Sequence, residues 1–167
     1  MPALYLLRHA KSSWADPTLA DHERPLAPRG RRDAKRIAKH LRRLGYEPEL
    51  ILCSSAVRTR ETLELLRSAV PVSAVNIEED LYAASREELF ARLRLVPDAV
   101  VSVMLIGHNP GLQQLALELA SAGDELERLA ARFPTAALAT FALAKSWSRL
   151  APAGATLEAY VVPKQLR

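Results

Sequence analysis

Three short apolar runs constrain the fold more than any other feature of the chain. Leu4 to Leu7, Leu50 to Cys53 and Val100 to Ile106 are each long enough for a buried strand and too short to span a membrane. Stretches of helical period lie between them. Buried strands alternating with helices imply a largely parallel sheet covered on both faces, a three-layer α/β/α architecture. In such a sheet ligands sit beyond the carboxyl ends of the strands. The residues directly after each run are therefore more informative than the run itself.

The first run stops on Arg8-His9-Ala10-Lys11. A polar, proline-punctuated loop extends from Ser12 to Pro28, and Pro28-Arg29-Gly30 opens a helix. In that helix Ala34, Ile37, Ala38, Leu41 and Leu44 form one apolar stripe, and Gly45 ends it. The second run leads through Ser54-Ser55-Ala56-Val57-Arg58 into a helix from about Thr59 to Ala69. Val72 to Ile77 reads as a weak third strand. Ser85 and Glu88 form a capping box for a helix that turns Leu89, Leu93 and Val96 inward and stops before Pro97. The third run ends in Gly107-His108-Asn109-Pro110-Gly111. Helices from Leu112 to about Ala120 and from Leu126 to Arg132 come next. Ala137 to Leu143 and Thr156 to Val162 are the last strands, paired through a turn at Pro152-Ala153-Gly154.

The 167 residues make one domain, 1–167, with no repeat or linker, and 49% apolar against 25% charged residues is a globular balance. A formal charge of +4 suits an anionic substrate, while 5% aromatics is poor for stacking on single-stranded nucleic acid. Nucleic acid is not expected as a partner, nor is a membrane. Cys53 is the single cysteine and lies within an apolar run, which reads as a packed thiol in a reducing compartment. The first residues lack a basic leader, so the cytoplasm is the expected location. The helix face at 31–43 is rich in Arg and Lys. It reads first as a solvated face and second as a surface on which a partner docks.

Three strand ends carry related groups: Arg8 and His9 after the first run, Arg58 after the second, and His108 after the third. Histidines and arginines without clustered carboxylates do not resemble a hydrolytic metal centre. They suit metal-free phosphoryl transfer, in which cations neutralise the nonbridging oxygens while one imidazole attacks phosphorus.

These pieces, with Glu23-Arg24-Pro25-Leu26, Ser54 to Thr62 and Gly107 to Gly111, occur in the order of the histidine phosphatase superfamily, and the chain resembles its SixA-like phosphohistidine phosphatases. The resemblance implies a phosphoglycerate mutase-like fold, and His9 as the nucleophile that becomes phosphohistidine. Arg8, Arg58 and His108 resemble the groups that clamp the phosphoryl oxygens, and Arg24 resembles a further basic residue of this branch. Glu79 occupies the place from which larger relatives supply a general acid. Ala10 stands where the superfamily signature has glycine. No long insertion separates the third and fourth strands, where larger relatives build a lid. A nucleophilic His9 must be neutral, and a backbone carbonyl is the expected acceptor for its other ring nitrogen. His22 and His40 are expected at the solvent surface, Ser54 and Ser55 as a turn and helix cap, and Asn109 and Gly111 as shapers of the loop around His108.

The expected activity is metal-independent hydrolysis of phosphohistidine on a protein through a phosphorylated His9, without cofactor, by a monomer. One alternative is a phosphomonoesterase for a small phosphorylated metabolite. Another, from a different class, is a catalytically silent module that binds phosphate or a phosphoprotein.

Overall fold

Leu4 to Leu7 form the middle of β1 (Ala3–Arg8) in the computed structural model, which describes residues 1–72 and 74–166. Leu4 and Leu6 enter one apolar core, and Tyr5 and Leu7 enter another. A strand apolar on both faces has to be covered on both, and the rest of the chain does so. The further elements are α1 (Pro28–Leu44), β2 (Leu50–Ser54), α2 (Val57–Arg67), β3 (Ala74–Glu78), α3 (Arg86–Arg94) and β4 (Ser102–Gly107). They are followed by α4 (Gly111–Leu119), β5 (Ala120–Ala122), α5 (Leu126–Ala131), β6 (Leu138–Leu143) and β7 (Ala155–Val161).

One seven-stranded sheet has the order β3-β2-β4-β1-β6-β7-β5. Four of its six pairings are parallel, and the antiparallel ones are β1 with β6 and β6 with β7. Ile37 and Leu41 of α1 and Leu63 and Leu66 of α2 pack on one face. Phe90 and Leu93 of α3, Leu112 and Leu115 of α4, and Leu129 of α5 pack on the other. The chain leaves β1 towards β2 and leaves the adjacent β4 towards β5 at the opposite edge. Where neighbouring strands diverge in this way, their carboxyl ends open a crevice. No helix among the described residues is long and apolar enough to cross a membrane.

Local chemistry sets the element ends. Gly45 adopts φ 70° and closes α1 by donating its N–H to Arg42 and Leu41 carbonyls. Both bonds of the capping box form at α3: Ser85 Oγ accepts from Glu88 N and Glu88 Oε1 accepts from Ser85 N, each at 3.1 Å. Gly30 lets the first turn of α1 lie against the loop after β1, since a Cβ there would stand 2.1 Å from the Lys11 carbonyl oxygen.

Several expectations are corrected. Leu44 is 51% exposed rather than part of the buried stripe, because the helix ends there and turns away from the core. The helix expected up to Ala120 ends at Leu119, and Ala120–Ala122 pairs with β7 as a short edge strand. β6 and β7 pair antiparallel as expected, but the connection is longer than the turn at 152–154. It includes a 3-10 turn at Trp147–Arg149, whose buried Trp147 donates Nε1–H to the Val100 carbonyl at 2.7 Å. The third strand is Ala74–Glu78, and Ser73, within the expected 72–77, lies outside the described residues, as does Arg167.

Candidate active site

The register of the parallel strands aligns their ends. Arg8 of β1 is opposite Gly107 of β4, and Cys53 of β2 is opposite Ile106 of β4. His9, Ser54 and His108 therefore emerge side by side at the carboxyl edge. The His9 N–H donates to the Gly107 carbonyl at 3.1 Å, which ties the two histidine-bearing ends together. Their rings face each other at 5.2 Å between centroids, inclined by 52°. Arg8, His9, Arg58 and His108 line one pocket of about 250 Å³, together with Arg24 and Trp14.

His9 Nδ1 lies 2.7 Å from the Ala10 carbonyl oxygen. A carbonyl only accepts, so Nδ1 carries the proton and Nε2 keeps its lone pair. Burial pushes the His9 pKa down to about 3, helped by His108, Arg58 and Arg8 and opposed by the Ala10 carbonyl. Burial likewise lowers His108 to about 4, with Arg58 the next cause. Both rings are neutral at pH 7. The His108 ring is held by Ser54, whose hydroxyl is 2.8 Å from Nε2.

The arginines are fixed by second groups. Arg8 donates Nη1–H to the Phe133 carbonyl at 3.1 Å, while its buried Nε has no partner among the described residues. Desolvation and the nearby Arg58 both lower the Arg8 pKa. The first turn of α2 carries Arg58, whose helix is pinned to the strand end by Thr62: its Oγ1 accepts from Ala10 N at 3.1 Å and donates to the Arg58 carbonyl at 2.7 Å. The loop 12–28 folds back along the pocket through a bridge between Ser12 and Leu26. That brings in Arg24, which donates to Ser13 O at 3.1 Å, Asp21 Oδ1 at 3.0 Å and Ser12 Oγ at 2.5 Å. Trp14 stacks over the Arg24 guanidinium at 3.3 Å while remaining 69% exposed.

Asp21 joins these cations. Its carboxylate accepts from Arg24, Arg58 and the Tyr82 hydroxyl. The Tyr82 hydrogen bond, followed by those from Arg24 and Arg58, holds the Asp21 pKa well below the usual carboxylate range. Tyr82 also sets its ring edge-on against His22 and His108.

The loop after β4 is shaped by Asn109, which donates Nδ2–H to Phe133 O at 2.9 Å and accepts from Gln113 N at 3.2 Å. Asn109-Pro110 is a cis peptide. Gly111 starts α4 where a Cβ would stand 2.2 Å from the Ala84 carbonyl oxygen.

The structure thus brings Arg8, His9, Arg24, Arg58 and His108 together and leaves Glu79 apart. Glu79 is exposed on a 3-10 turn after β3 and is not among the residues that line the pocket. Its neighbour Glu78 is taken by Arg92 at 2.7 and 2.8 Å. His22 is not the solvent-facing residue expected: its Nε2 lies 2.8 Å from Ser55 Oγ and its Nδ1 2.9 Å from Glu23. His40 is partly buried, which lowers its pKa. Ser54 does more than shape a turn, since it bonds both Ala56 N and His108. Sequence reasoning missed Asp21, Trp14 and Tyr82 as members of the site. The signal for Asp21 was its i, i+3 spacing to Arg24; for Trp14 and Tyr82 the chain carries no local signal. Cys53 is buried and its pKa is pushed up to about 12 by desolvation, an inert thiol as expected.

A family model described as histidine phosphatase superfamily (branch 1) matches residues 4–84. An uncharacterised protein of Mycobacterium tuberculosis is 36% identical over 162 residues, 95% of this chain and 100% of the relative. Among solved structures, a candidate phosphohistidine phosphatase SixA from Agrobacterium tumefaciens is 31% identical with a TM-score of 0.81, covering 97% of this chain and 99% of that one. The corresponding SixA from Nakamurella multipartitia is 28% identical with a TM-score of 0.85, over 97% of this chain and 96% of that one.

Proposed function

The chain belongs to the histidine phosphatase superfamily, in its SixA-like group, and on that premise we propose that this phosphatase hydrolyses phosphohistidine on a protein through a covalent phosphohistidine at His9. The observation that carries the reading is the neutral His9 whose Nδ1–H is committed to the Ala10 carbonyl, leaving Nε2 to attack.

In the first step His9 Nε2 forms a bond to phosphorus as the P–N bond of the substrate breaks. The substrate imidazole departs with the electron pair and leaves as neutral imidazole when its other ring nitrogen carries a proton. Arg8 and Arg58 spread their donors over the nonbridging oxygens and gain most where charge develops. Water then attacks phosphorus, the His9–phosphorus bond breaks, and phosphate takes up the balance of protons.

Leaving-group chemistry favours this substrate over a simple ester. An alkoxide of high pKa needs a proton donor in the pocket, whereas a phosphoramidate nitrogen needs less help. Glu79 sits outside the pocket lining, so its service as general acid requires a substrate that reaches out to it. Asp21 is held as a carboxylate and is a poor donor near neutrality. The segment between β3 and β4 contributes one 3-10 turn and the nine-residue α3, which leaves the mouth open to a side chain on another protein. A cytoplasmic setting, a monomeric state and a single domain over 1–167 belong to the same proposal.

The test is phosphate release from a phosphohistidine protein and from an aryl phosphate, with chelator present, by the wild type and by His9→Ala. Turnover that favours the phosphohistidine protein, survives chelator and disappears in the variant is expected. Preference for the aryl phosphate would instead favour the small-metabolite phosphomonoesterase. Activity retained in His9→Ala would overturn the histidine mechanism. Phosphate analogues bound without any turnover would leave the binding module.

A further inference from the structure

Beside the catalytic pocket runs a larger groove of about 640 Å³, between the first turns of α1, the end of α5 and the segment after β7. Thr135 lines both cavities, so the groove begins where the catalytic pocket ends. Arg29, Arg32, Arg36, Arg128, Arg132 and Lys164 rim it, all of them exposed. The one carboxylate in its lining is Asp33, which lies 3.3 Å from Arg36 and 3.9 Å from Arg29. Arg128 is shared with Glu125 and Gln165. Arg32, Arg132 and Lys164 have no side-chain hydrogen bond or ion pair among the described residues. Val162, Pro163 and Pro134 supply an apolar floor between the cations.

We infer that this groove docks an acidic surface of the phosphoprotein substrate, seating an acidic segment along Arg32, Arg132 and Lys164 while the phosphorylated side chain enters the pocket beyond Thr135. The inference rests on the phosphohistidine-protein reading and adds how such a substrate is chosen. Charge complementarity selects the partner: six cations against one carboxylate attract a negatively charged surface and repel a basic one. The form of the site favours a protein over a small polyanion. A compact polyphosphate is held by convergent donors shielded from water. Here the cations come from three separate elements and end in solvent, with apolar ground between them that fits an aliphatic anchor of a folded partner. The pocket of about 250 Å³ has room for a phosphorylated side chain but not for the protein that carries it, so that protein must lie on the surface next to the mouth. The basic face of α1 thereby acquires a role at its N-terminal end, where Arg29, Arg32 and Arg36 reach the groove, and stays a solvated face further along.

The experiment compares the wild type with Arg32→Glu/Arg132→Glu. Both side chains are exposed, and unchanged thermal melting checks that the fold survives. The substrates are an acidic histidine phosphotransfer domain phosphorylated with phosphoramidate, and p-nitrophenyl phosphate. The expected result is a loss of at least tenfold in kcat/KM on the protein, carried by KM and shrinking as salt is raised. Turnover of the small ester stays within about twofold, because the rim does not touch the reacting phosphate. Equal loss on both substrates, or none on the protein, overturns the inference. If the wild type hydrolyses the ester but not the protein, the functional reading fails by itself, and the groove is then decided by binding. Labelled poly-L-glutamate and a transfer RNA are compared by anisotropy. Poly-L-glutamate binding that the double variant loses supports an acidic protein partner. Binding of the RNA alone, or of neither, overturns it.

Discussion

Arg58 donates twice to one residue, from Nη1 to the Asp21 carbonyl at 2.7 Å and from Nη2 to the Asp21 carboxylate at 3.0 Å. A loop residue remote in sequence thus aims an arginine that α2 carries. Asp21 both orients Arg58 and Arg24 and offsets their charge. Asp21→Asn should therefore tighten inhibition by phosphate or tungstate while lowering kcat by about tenfold, since a misplaced clamp binds the anion without meeting the transition state. Steady-state kinetics and inhibition constants separate the two effects. A fall in kcat/KM carried by KM alone would show that Asp21 does not orient the clamp.

His9 and His108 titrate near 3 and 4 in the folded protein and at the ordinary 6.5 when unfolded. Between these values the unfolded chain binds protons that the folded chain refuses, so stability declines as pH falls from about 6.5. Urea unfolding between pH 7 and pH 5 should show this decline, and it should be shallower in His9→Gln/His108→Gln. After correction for substrate ionisation, kcat/KM should show no acid limb near pH 6.5. A limb there would mean that His9 ionises as an ordinary histidine.

Trp14 is largely exposed, yet its ring lies 3.3 Å from the Arg24 guanidinium carbon at the pocket wall. A cation–π contact of about 1 kcal/mol corresponds to roughly fivefold weaker phosphate binding in Trp14→Ala, with little change in thermal stability. Titration with phosphate should also alter the Trp14 fluorescence and leave that of the buried Trp147 unchanged, a difference read by comparison with Trp14→Phe.

Gly111 faces the Ala84 carbonyl so closely that a Cβ would stand 2.2 Å from its oxygen. Gly111→Ala should cost about 2 kcal/mol in chemical unfolding, because backbone and not a flexible side chain must yield. Activity should fall as well, since the displaced helix start carries the loop of His108. An unchanged stability would show that the Ala84 segment ahead of α3 relaxes freely against α4.

Much of this architecture is local information. The four-residue run Leu4 to Leu7 can only be a buried strand, and the Ser85 and Glu88 spacing allows one helix start; both formed as read. The placing of Arg8, His9 and His108 at strand ends, and of Arg58 shortly after one, came from the same reasoning, because a parallel sheet puts its carboxyl ends on one edge. The structure puts Arg58 inside the first turn of α2. The carbonyl acceptor for His9 was expected from chemistry and is supplied by the next residue, Ala10.

The features outside local information depend on contacts made across the chain. The edge strand Ala120–Ala122 exists because β7 offers it a partner, and its three small residues have no strand preference of their own. Asp21, Trp14 and Tyr82 join the site only when the loop 12–28 folds back over α2 and the β3 end. Glu79 stays outside it because the turn after β3 holds the Tyr82 N–H on the Glu79 carbonyl and leaves the carboxylate in solvent. The amino-acid sequence by itself determined the layers and the strand ends at which His9 and His108 stand, since periodicity and residue chemistry act over a few residues. Tertiary structure alone decided which groups aim the arginines and where the basic face of α1 meets the catalytic pocket. Such pairings arise from distance in space between segments that no periodicity relates.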